Sequence, residues 1–235
     1  MALRDAEDQL FAEWREKRSV FYPDGVVNED AWRRNTPKIL LLMKEVNEPN
    51  GRGRDLRKIL STTDRQDTWD SVTRWMRAVR ALPAELPWQD VKRVRPEHRR
   101  EHLGSLAVMN LKKTPGRHTT DVKKFRKIVA EDQRFLRRQF ALYDADLVIC
   151  CGSEVTKAFS AWIGAEHAKS WKRTRRGIKF LQLVPGRHVI DYAHPEARVA
   201  PFLLHYPLID AIREIRLDAT NRTAEPGCTG EQGLR

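Results

Sequence analysis

A continuous run of apolar residues, ILLLM at 39–43, changes without transition into the polar segment KEVNEPNG at 44–51. Five consecutive apolar side chains leave no side of the segment for solvent. The run therefore predicts a strand in the centre of a parallel sheet, covered on both faces. The same strand brings carboxylates, amides and a proline to one point at its carboxyl end, which raises the question of what those polar groups do.

Further apolar runs alternate with segments of helical periodicity. Strands are predicted at 106–109, 145–151, 180–184 and 187–192. Helices are predicted at 3–19, 69–82, 121–142, 153–161 and 200–217, where apolar residues recur every three or four positions. This alternation predicts an α/β fold, a three-layer αβα arrangement around a central, mostly parallel sheet of four to five strands. The stretch 83–102 is rich in proline and charge and predicts an irregular surface segment.

The length of 235 residues suits one domain, predicted at 1–217, followed by a disordered tail at 218–235 that has no periodicity. No run approaches the roughly 18–20 apolar residues of a membrane span, and the N-terminus lacks the apolar core of a secretory signal. We therefore expect a cytoplasmic monomer. The three cysteines have neither disulfide nor metal-ligand spacing, so no metal and no cofactor is expected.

The charge balance indicates what kind of partner the chain binds. Forty-four Lys and Arg residues against thirty-two Asp and Glu residues give a formal net charge of +12. Such an excess favours a polyanionic partner, with DNA as the leading candidate. The alternative is a generally basic protein whose arginines are solvated on helix surfaces.

Polar or small residues follow four of the five predicted strands: 45–48 after the first, then Asn110, Gly152-Ser153 and His194. In parallel sheets the functional groups gather at the carboxyl ends of the strands, so these residues should meet in one cleft. Taken singly, each also has an ordinary explanation as a solvated loop carboxylate, a turn former or a helix cap.

Four motifs in this order resemble the uracil-DNA glycosylase superfamily: KEVNEPNG (44–51), AVMNLKKTPG (107–116), ADLVICCGSEVTKAF (145–159) and YAHPEAR (192–198). The resemblance covers most of residues 38–215. It implies a DNA glycosylase of bacterial or phage type that flips a uracil-like or modified base out of DNA and hydrolyses its N-glycosidic bond. It also implies a role in base-excision repair or in defence against phage DNA with modified bases, and association with the nucleoid.

The resemblance assigns roles residue by residue. It implies that Asn47, assisted by Glu45 or Glu48, acts at the sugar and the attacking water, although two registers of the first motif remain open. Asn110 matches the asparagine that pairs with the edge of the extruded base, and His194 matches the histidine that hydrogen-bonds the base carbonyl. Two aromatic residues, Trp69 and Tyr22, are candidates for stacking on the base.

Basic residues near the predicted strand ends are candidates for contacting the DNA backbone. They are Arg52, Arg54, Arg57, Lys112, Lys113, Arg117, Lys172, Arg173, Arg175, Arg176 and Arg198. The chain also departs from the family pattern. Lys44 replaces a glycine before the first motif, and Glu196 replaces a serine after His-Pro. Thr114 stands near where some members carry a cluster cysteine. These departures predict a divergent or enlarged base pocket.

Two other functions fit the same sequence. One is a DNA-binding or damage-sensing module that has the fold without catalysis. The other is a metal-dependent nuclease that uses Glu45, Glu48, Asp191 and His194 as ligands. A nucleotide-binding enzyme is disfavoured, because the sequence contains neither a Walker nor a dinucleotide glycine motif.

Overall fold

The computed structural model describes residues 1–47, 53–62, 67–116, 121–164 and 169–223, with side chains as far as residue 216. The helices are α1 (Leu3–Arg15), α2 (Glu29–Arg34), α3 (Leu56–Ser61), α4 (Asp67–Ala81), α5 (Trp88–Val91), α6 (Pro96–Gly104), α7 (Val122–Tyr143), α8 (Ser153–Trp162) and α9 (Pro201–Thr223). The strands are β1 (Gly25–Val26), β2 (Ile39–Met43), β3 (Leu106–Asn110), β4 (Leu147–Cys151), β5 (Lys172–Arg173), β6 (Lys179–Val184) and β7 (Arg187–Tyr192).

Seven strands of the described residues form one sheet in the order β1-β3-β2-β4-β7-β6-β5. The four central strands β3, β2, β4 and β7 are parallel, whereas β1, β6 and β5 pair antiparallel at the two edges. The predicted α/β class is confirmed, but the predicted count of four to five strands is wrong. The missed strands, β1 and β5, have only two residues each and are too short to show a periodic pattern.

Strand β2 lies in the middle of the sheet and is buried along its whole length, as the ILLLM run predicts. Alternate side chains of a strand point to opposite faces. Ile39, Leu41 and Met43 join one apolar core, and Leu40 and Leu42 join the other. The first core contains residues of α3, α4 and α9, and the second contains residues of α1, α7 and α8. We call the two sides of the sheet the α4 face and the α7 face.

Several element boundaries differ from the predictions. Helix α1 ends at Arg15 instead of residue 19, and α9 continues six residues beyond the predicted end at 217. Residues 218–223 of the predicted tail are therefore helical, while 224–235 lie outside the described residues. The segment 83–102, predicted as irregular, contains α5 and most of α6, and Pro96 occupies the first turn of α6, where proline is tolerated. None of the described helices is long and apolar enough to cross a membrane.

Candidate functional site

A cavity of about 410 Å³ opens on the α4 face at the carboxyl ends of β2, β3 and β7. Six residues singled out from the sequence contribute to its wall: Glu45, Asn47, Arg54, Trp69, Asn110 and His194. Its volume lies within the roughly 300–1,000 Å³ typical of small-molecule sites. Residues that are far apart in the sequence therefore meet where a parallel sheet places its ligands.

The loops that follow β2 and β3 continue to pair beyond the ends of the strands. The Leu111 N–H donates to the Met43 carbonyl at 2.9 Å, and the Gly116 N–H donates to the Val46 carbonyl at 2.9 Å. A parallel bridge joins Asn47 to Gly116. This pairing holds the first two motifs side by side, so that the polar residues after β2 lie next to the end of β3.

Glu45 forms an ion pair with Lys112 in the wall of the cavity, and both side chains are 5% exposed. The Lys112 ammonium also donates to the Pro115 carbonyl at 2.8 Å. Gly116 packs so closely that a Cβ at this position would lie 2.3 Å from Glu45 Cδ. The carboxylate is thus held as a fixed anion at the cavity by two neighbours from the loop after β3.

Asn110 is the last residue of β3 and is only 3% exposed. Its backbone N–H donates to Asp24 Oδ2 at 2.7 Å. Its side-chain Nδ2 is buried, borders the cavity and has no hydrogen-bond partner among the described residues. A buried donor without a partner costs about 1–3 kcal/mol, so this amide is poised for a ligand that accepts its hydrogen bond. An amide also accepts, which suits the edge of a nucleobase.

His194 follows β7 and borders the same cavity. Burial lowers its pKa, and Lys44 lowers it further, while Glu196 opposes the shift. The Glu196 backbone N–H donates to His194 Nδ1 at 3.1 Å. Because Nδ1 is an acceptor, the neutral ring carries its proton on Nε2 and offers a hydrogen-bond donor.

Trp69, in the first turn of α4, supplies an aromatic surface to the cavity wall. Leu56 and Ile59 of α3 border the same space. Flat aromatic surfaces bind nucleobases by stacking, with little dependence on sequence. The cavity thus combines an apolar part with an amide, an imidazole and a carboxylate.

A second cavity of about 460 Å³ adjoins the first, and Glu196 belongs to the wall of both. Asp67, Ser71 and Arg74 contribute polar groups to it. In the sequence, Glu196 was notable only as a departure from the family pattern, and no motif pointed to the residues of α4.

Three of the predicted DNA-contacting cations are not on the surface. Lys112 is paired with Glu45, and Arg57 is paired with Glu7 at 2.9 Å. Lys113 is fully buried against Asp24 at 2.6 Å, and burial lowers its pKa while the Asp24 carboxylate opposes that shift. The predictions for these cations are corrected, because a cluster of charges in the sequence does not show which distant acids will neutralise them.

The prediction for Tyr22 is also corrected. Its side chain is 1% exposed and it does not line the cavity. Its backbone N–H donates to the Lys113 carbonyl at 2.8 Å, which places it on the segment that carries the buried ion pair. Of the two aromatic candidates, the structure brings only Trp69 to the site.

The other predicted cations that belong to the described residues are exposed. Arg54 lines the cavity, and Arg198 follows the loop that carries His194 and Glu196. Strand β5, with Lys172 and Arg173, is separated from β4 by two strands. The turn after it is held to α9, because the Arg175 N–H donates to Glu214 and Arg176 pairs with Asp210 at 3.1 Å. Glu48, Arg52 and Arg117 lie outside the described residues.

Two of the proposed ligands of a metal-dependent nuclease, Asp191 and His194, lie on opposite faces of the sheet. Asp191 lies on the α7 face, where its carboxylate accepts from Thr156 Oγ1 at 2.7 Å, while His194 borders the cavity on the α4 face. Across the described ranges no group of three or more His, Cys, Asp and Glu side chains is arranged to hold a metal ion.

No protein family model matches this chain, and no curated protein matches it either. The function must therefore be inferred from the geometry of the cavity and from the motif pattern.

Proposed function

We propose that the chain is a DNA glycosylase, which hydrolyses the N-glycosidic bond of a flipped-out uracil-like or modified base and leaves an abasic site. One observation carries the proposal: Asn110, whose buried Nδ2 has no partner among the described residues, borders the same cavity as His194, Glu45, Asn47 and Trp69. These are the groups needed to read a base edge and to stabilise the charges that form when the bond breaks.

In the proposed reaction, the base stacks on Trp69 and its edge pairs with the Asn110 amide. The bond between the sugar C1′ and the base nitrogen breaks, and its electron pair leaves with the base. His194 Nε2–H donates to the base carbonyl where the negative charge develops. The fixed Glu45 anion stabilises the cationic sugar. A water held by Asn47 forms the new bond to C1′, and the proton it loses balances the one the base takes up.

The finer architecture belongs to the same proposal. We assign a three-layer αβα arrangement and membership of the uracil-DNA glycosylase superfamily. Support comes from the order of the four motifs along the chain and from the helices on both faces of the sheet. The proposal also includes a cytoplasmic monomer that is associated with the nucleoid when it binds DNA.

Charge and exposure support DNA as the partner. The formal net charge is +12, and exposed Arg54 and Arg198 lie at or near the cavity. Cations at these positions would neutralise phosphates beside the flipped nucleotide. Because unstacking a base costs on the order of a few kcal/mol, such contacts help to offset the cost of flipping.

The space in the site favours a modified base. The second cavity has Glu196 in common with the first, and its wall includes Asp67, Ser71 and Arg74, so a substituent that reaches past Glu196 would meet polar groups. A modified base in phage DNA and a damaged base in the host genome differ in chemistry. The identity of the released base therefore distinguishes defence from repair.

The proposal is tested by incubating the protein with DNAs that contain uracil, deaminated, alkylated or phage-type modified bases. Release of a free base, detected by mass spectrometry and insensitive to EDTA, is expected, with strand breaks only after alkali. Asn110→Ala should lose the release. DNA binding without base release would identify a non-catalytic module, and EDTA-sensitive strand cleavage would identify a nuclease.

A further inference from the structure

A buried ion pair lies on the α7 face directly behind the end of β3. The Lys113 ammonium contacts both carboxylate oxygens of Asp24, at 2.6 and 2.7 Å, and both side chains are 0% exposed. Gln139 of α7 donates to Asp24 Oδ1 at 2.8 Å. The Asn110 backbone N–H donates to Asp24 Oδ2 at 2.7 Å. The carboxylate thus accepts from three residues, one of which carries the free amide of the cavity.

The direction of the strands explains why Asn110 needs this acceptor. The N–H of the next residue, Leu111, points toward β2 and bonds to the Met43 carbonyl. Successive backbone N–H groups of a strand alternate in direction, so the Asn110 N–H points toward β1. Strand β1 begins at Gly25 and offers no residue at that level. The Asp24 side chain takes the place of the missing strand partner.

Gly25 allows Asp24 to reach this position. Its φ is +125°, and a Cβ there would lie 2.1 Å from Glu7 Oε1 and 2.8 Å from the Tyr143 hydroxyl. The chain therefore passes through a gap that only glycine fits, in a conformation that other residues rarely adopt. The FYPDG stretch at 21–25 has the residue types of a turn, and the structure buries all five residues.

We propose that Asp24, as the acceptor of the Asn110 N–H, is a positioning residue that sets the place of the Asn110 amide in the cavity. The inference rests on the proposed function, because it concerns how the base edge is read. A buried ion pair is weak evidence for stability, since apolar residues of similar volume often replace such a pair without loss. An apolar pair, however, has no acceptor for the Asn110 N–H.

Two paired variants separate positioning from stability. In the first, Asp24→Leu with Lys113→Met, both charges are removed and no acceptor remains for the Asn110 N–H. In the second, Asp24→Asn with Lys113→Met, both charges are also removed but an amide oxygen of the same size is retained. Gln139 Oε1 is buried without a partner among the described residues, so an acceptor is available for the amide nitrogen of the new side chain if the Gln139 amide turns over.

The measurement is kcat/KM for base release, made on the DNA from which the wild-type chain releases a base, with thermal unfolding recorded in parallel. The leucine pair should lower kcat/KM about 10- to 100-fold, because displacement of a contacting group by about 1 Å has effects of this size. The asparagine pair should remain close to wild type. Once Asn110→Ala is present, the leucine pair should have little further effect, because both changes act through one amide.

If kcat/KM fell equally in the two pairs, or fell in neither, the positioning role of Asp24 would be overturned. The proposed glycosylase function would still stand. If the wild-type chain releases no base from any DNA, the proposed function is wrong and this inference falls with it. If the leucine pair does not fold, Asp24→Ala with Lys113→Met is the second variant, since it also removes the acceptor of the Asn110 N–H but places a smaller side chain in the interior. A folded chain of this pair with unchanged kcat/KM would also contradict the inference.

Discussion

On the α4 face, the polar side chains at the strand ends border a cavity, whereas on the α7 face they are buried in contact with one another. Asn110 and His194 exemplify the first face, and the Asp24–Lys113 pair exemplifies the second. Asp191, bonded to Thr156, belongs to the second group as well. The two groups lie within a few residues of each other along the same strands.

The difference shows that a polar residue at a strand end is not by itself a functional residue. On the α7 face, helices α1, α7 and α8 approach the sheet and supply partners, so the polar groups serve to hold the chain in place. On the α4 face the cavity leaves room, and one buried amide remains without a partner among the described residues. Variants on the α7 face should therefore lower mainly the free energy of unfolding, and variants on the α4 face should lower mainly the rate of base release.

The largest effect on stability is expected on the α7 face. Lys113→Met leaves Asp24 as a buried carboxylate without its cation, and loss of one partner of such a pair costs about 3–5 kcal/mol. Urea unfolding should show this decrease in the free energy of unfolding. Lys172→Met, which removes an exposed lysine from β5, should stay within about 0.5 kcal/mol of wild type.

The activity of the folded fraction of Lys113→Met should remain close to wild type, because the Asn110 N–H keeps Asp24 as its acceptor. A large loss of base release per folded molecule would show that the α7 face acts in the reaction through the lysine itself.

The largest effect on activity is expected on the α4 face. His194→Ala removes the donor to the departing base, and removal of one such donor lowers kcat about 10²- to 10³-fold, or about 3–4 kcal/mol. The melting temperature should change little. His98→Ala, a histidine outside the cavity, serves as the control. Equal rates for the two variants would exclude His194 from the site.

Acid should lower the free energy of unfolding because of His205, a residue of α9 on the α4 face. Burial, with a smaller contribution from Arg74, lowers its pKa from 6.5 to about 4. The folded state thus prefers the neutral ring. The contribution of His205 to the free energy of unfolding is fully present above pH 6.5 and is lost as the pH falls toward 4. Its full size is about 3 kcal/mol.

Urea unfolding of wild type and His205→Phe at pH 7 and pH 4 measures this contribution. The wild-type chain should lose more stability between the two values than the variant does. Parallel losses in the two chains would show that His205 is not the residue that senses acid.

A smaller effect is expected at the loop that holds Glu45. Gly116→Ala places a methyl group against the Glu45 carboxyl, and such overpacking costs about 1–3 kcal/mol. Base release should fall too, because the carboxylate is displaced from the cavity wall. Gly104→Ala is the matched control, since a Cβ there meets nothing within 4 Å. If the free energy of unfolding and the rate of base release were both unchanged in Gly116→Ala, the Glu45 carboxylate would not be fixed by its contact with Gly116.

The smallest effect is expected for single exposed cations. Arg198→Ala should reduce the slope of log K against log salt for DNA binding by about 1, as expected for the loss of one phosphate contact. Lys113→Met should leave the slope unchanged because that charge is buried. A reduced slope for Lys113→Met would contradict the assignment of Arg198 and Lys113 to different environments.

The sequence predicted the parts of the molecule that depend on local pattern. Burial of ILLLM on both sides follows from the apolar run alone, and the meeting of Asn110 with His194 follows from the geometry of parallel strands. The environments of Lys112 and Lys113 could not be predicted, because they depend on Glu45 and Asp24 from other segments. The strands β1 and β5 were missed because two residues carry no periodicity.

The most direct test of the central claim is the free base released from DNA, measured by mass spectrometry at equal concentrations of folded protein. The account predicts that the wild-type chain and Lys113→Met release the same base at similar rates, and that Asn110→Ala releases little or none. Release by Asn110→Ala at the wild-type rate would show that the cavity on the α4 face is not where the base is bound.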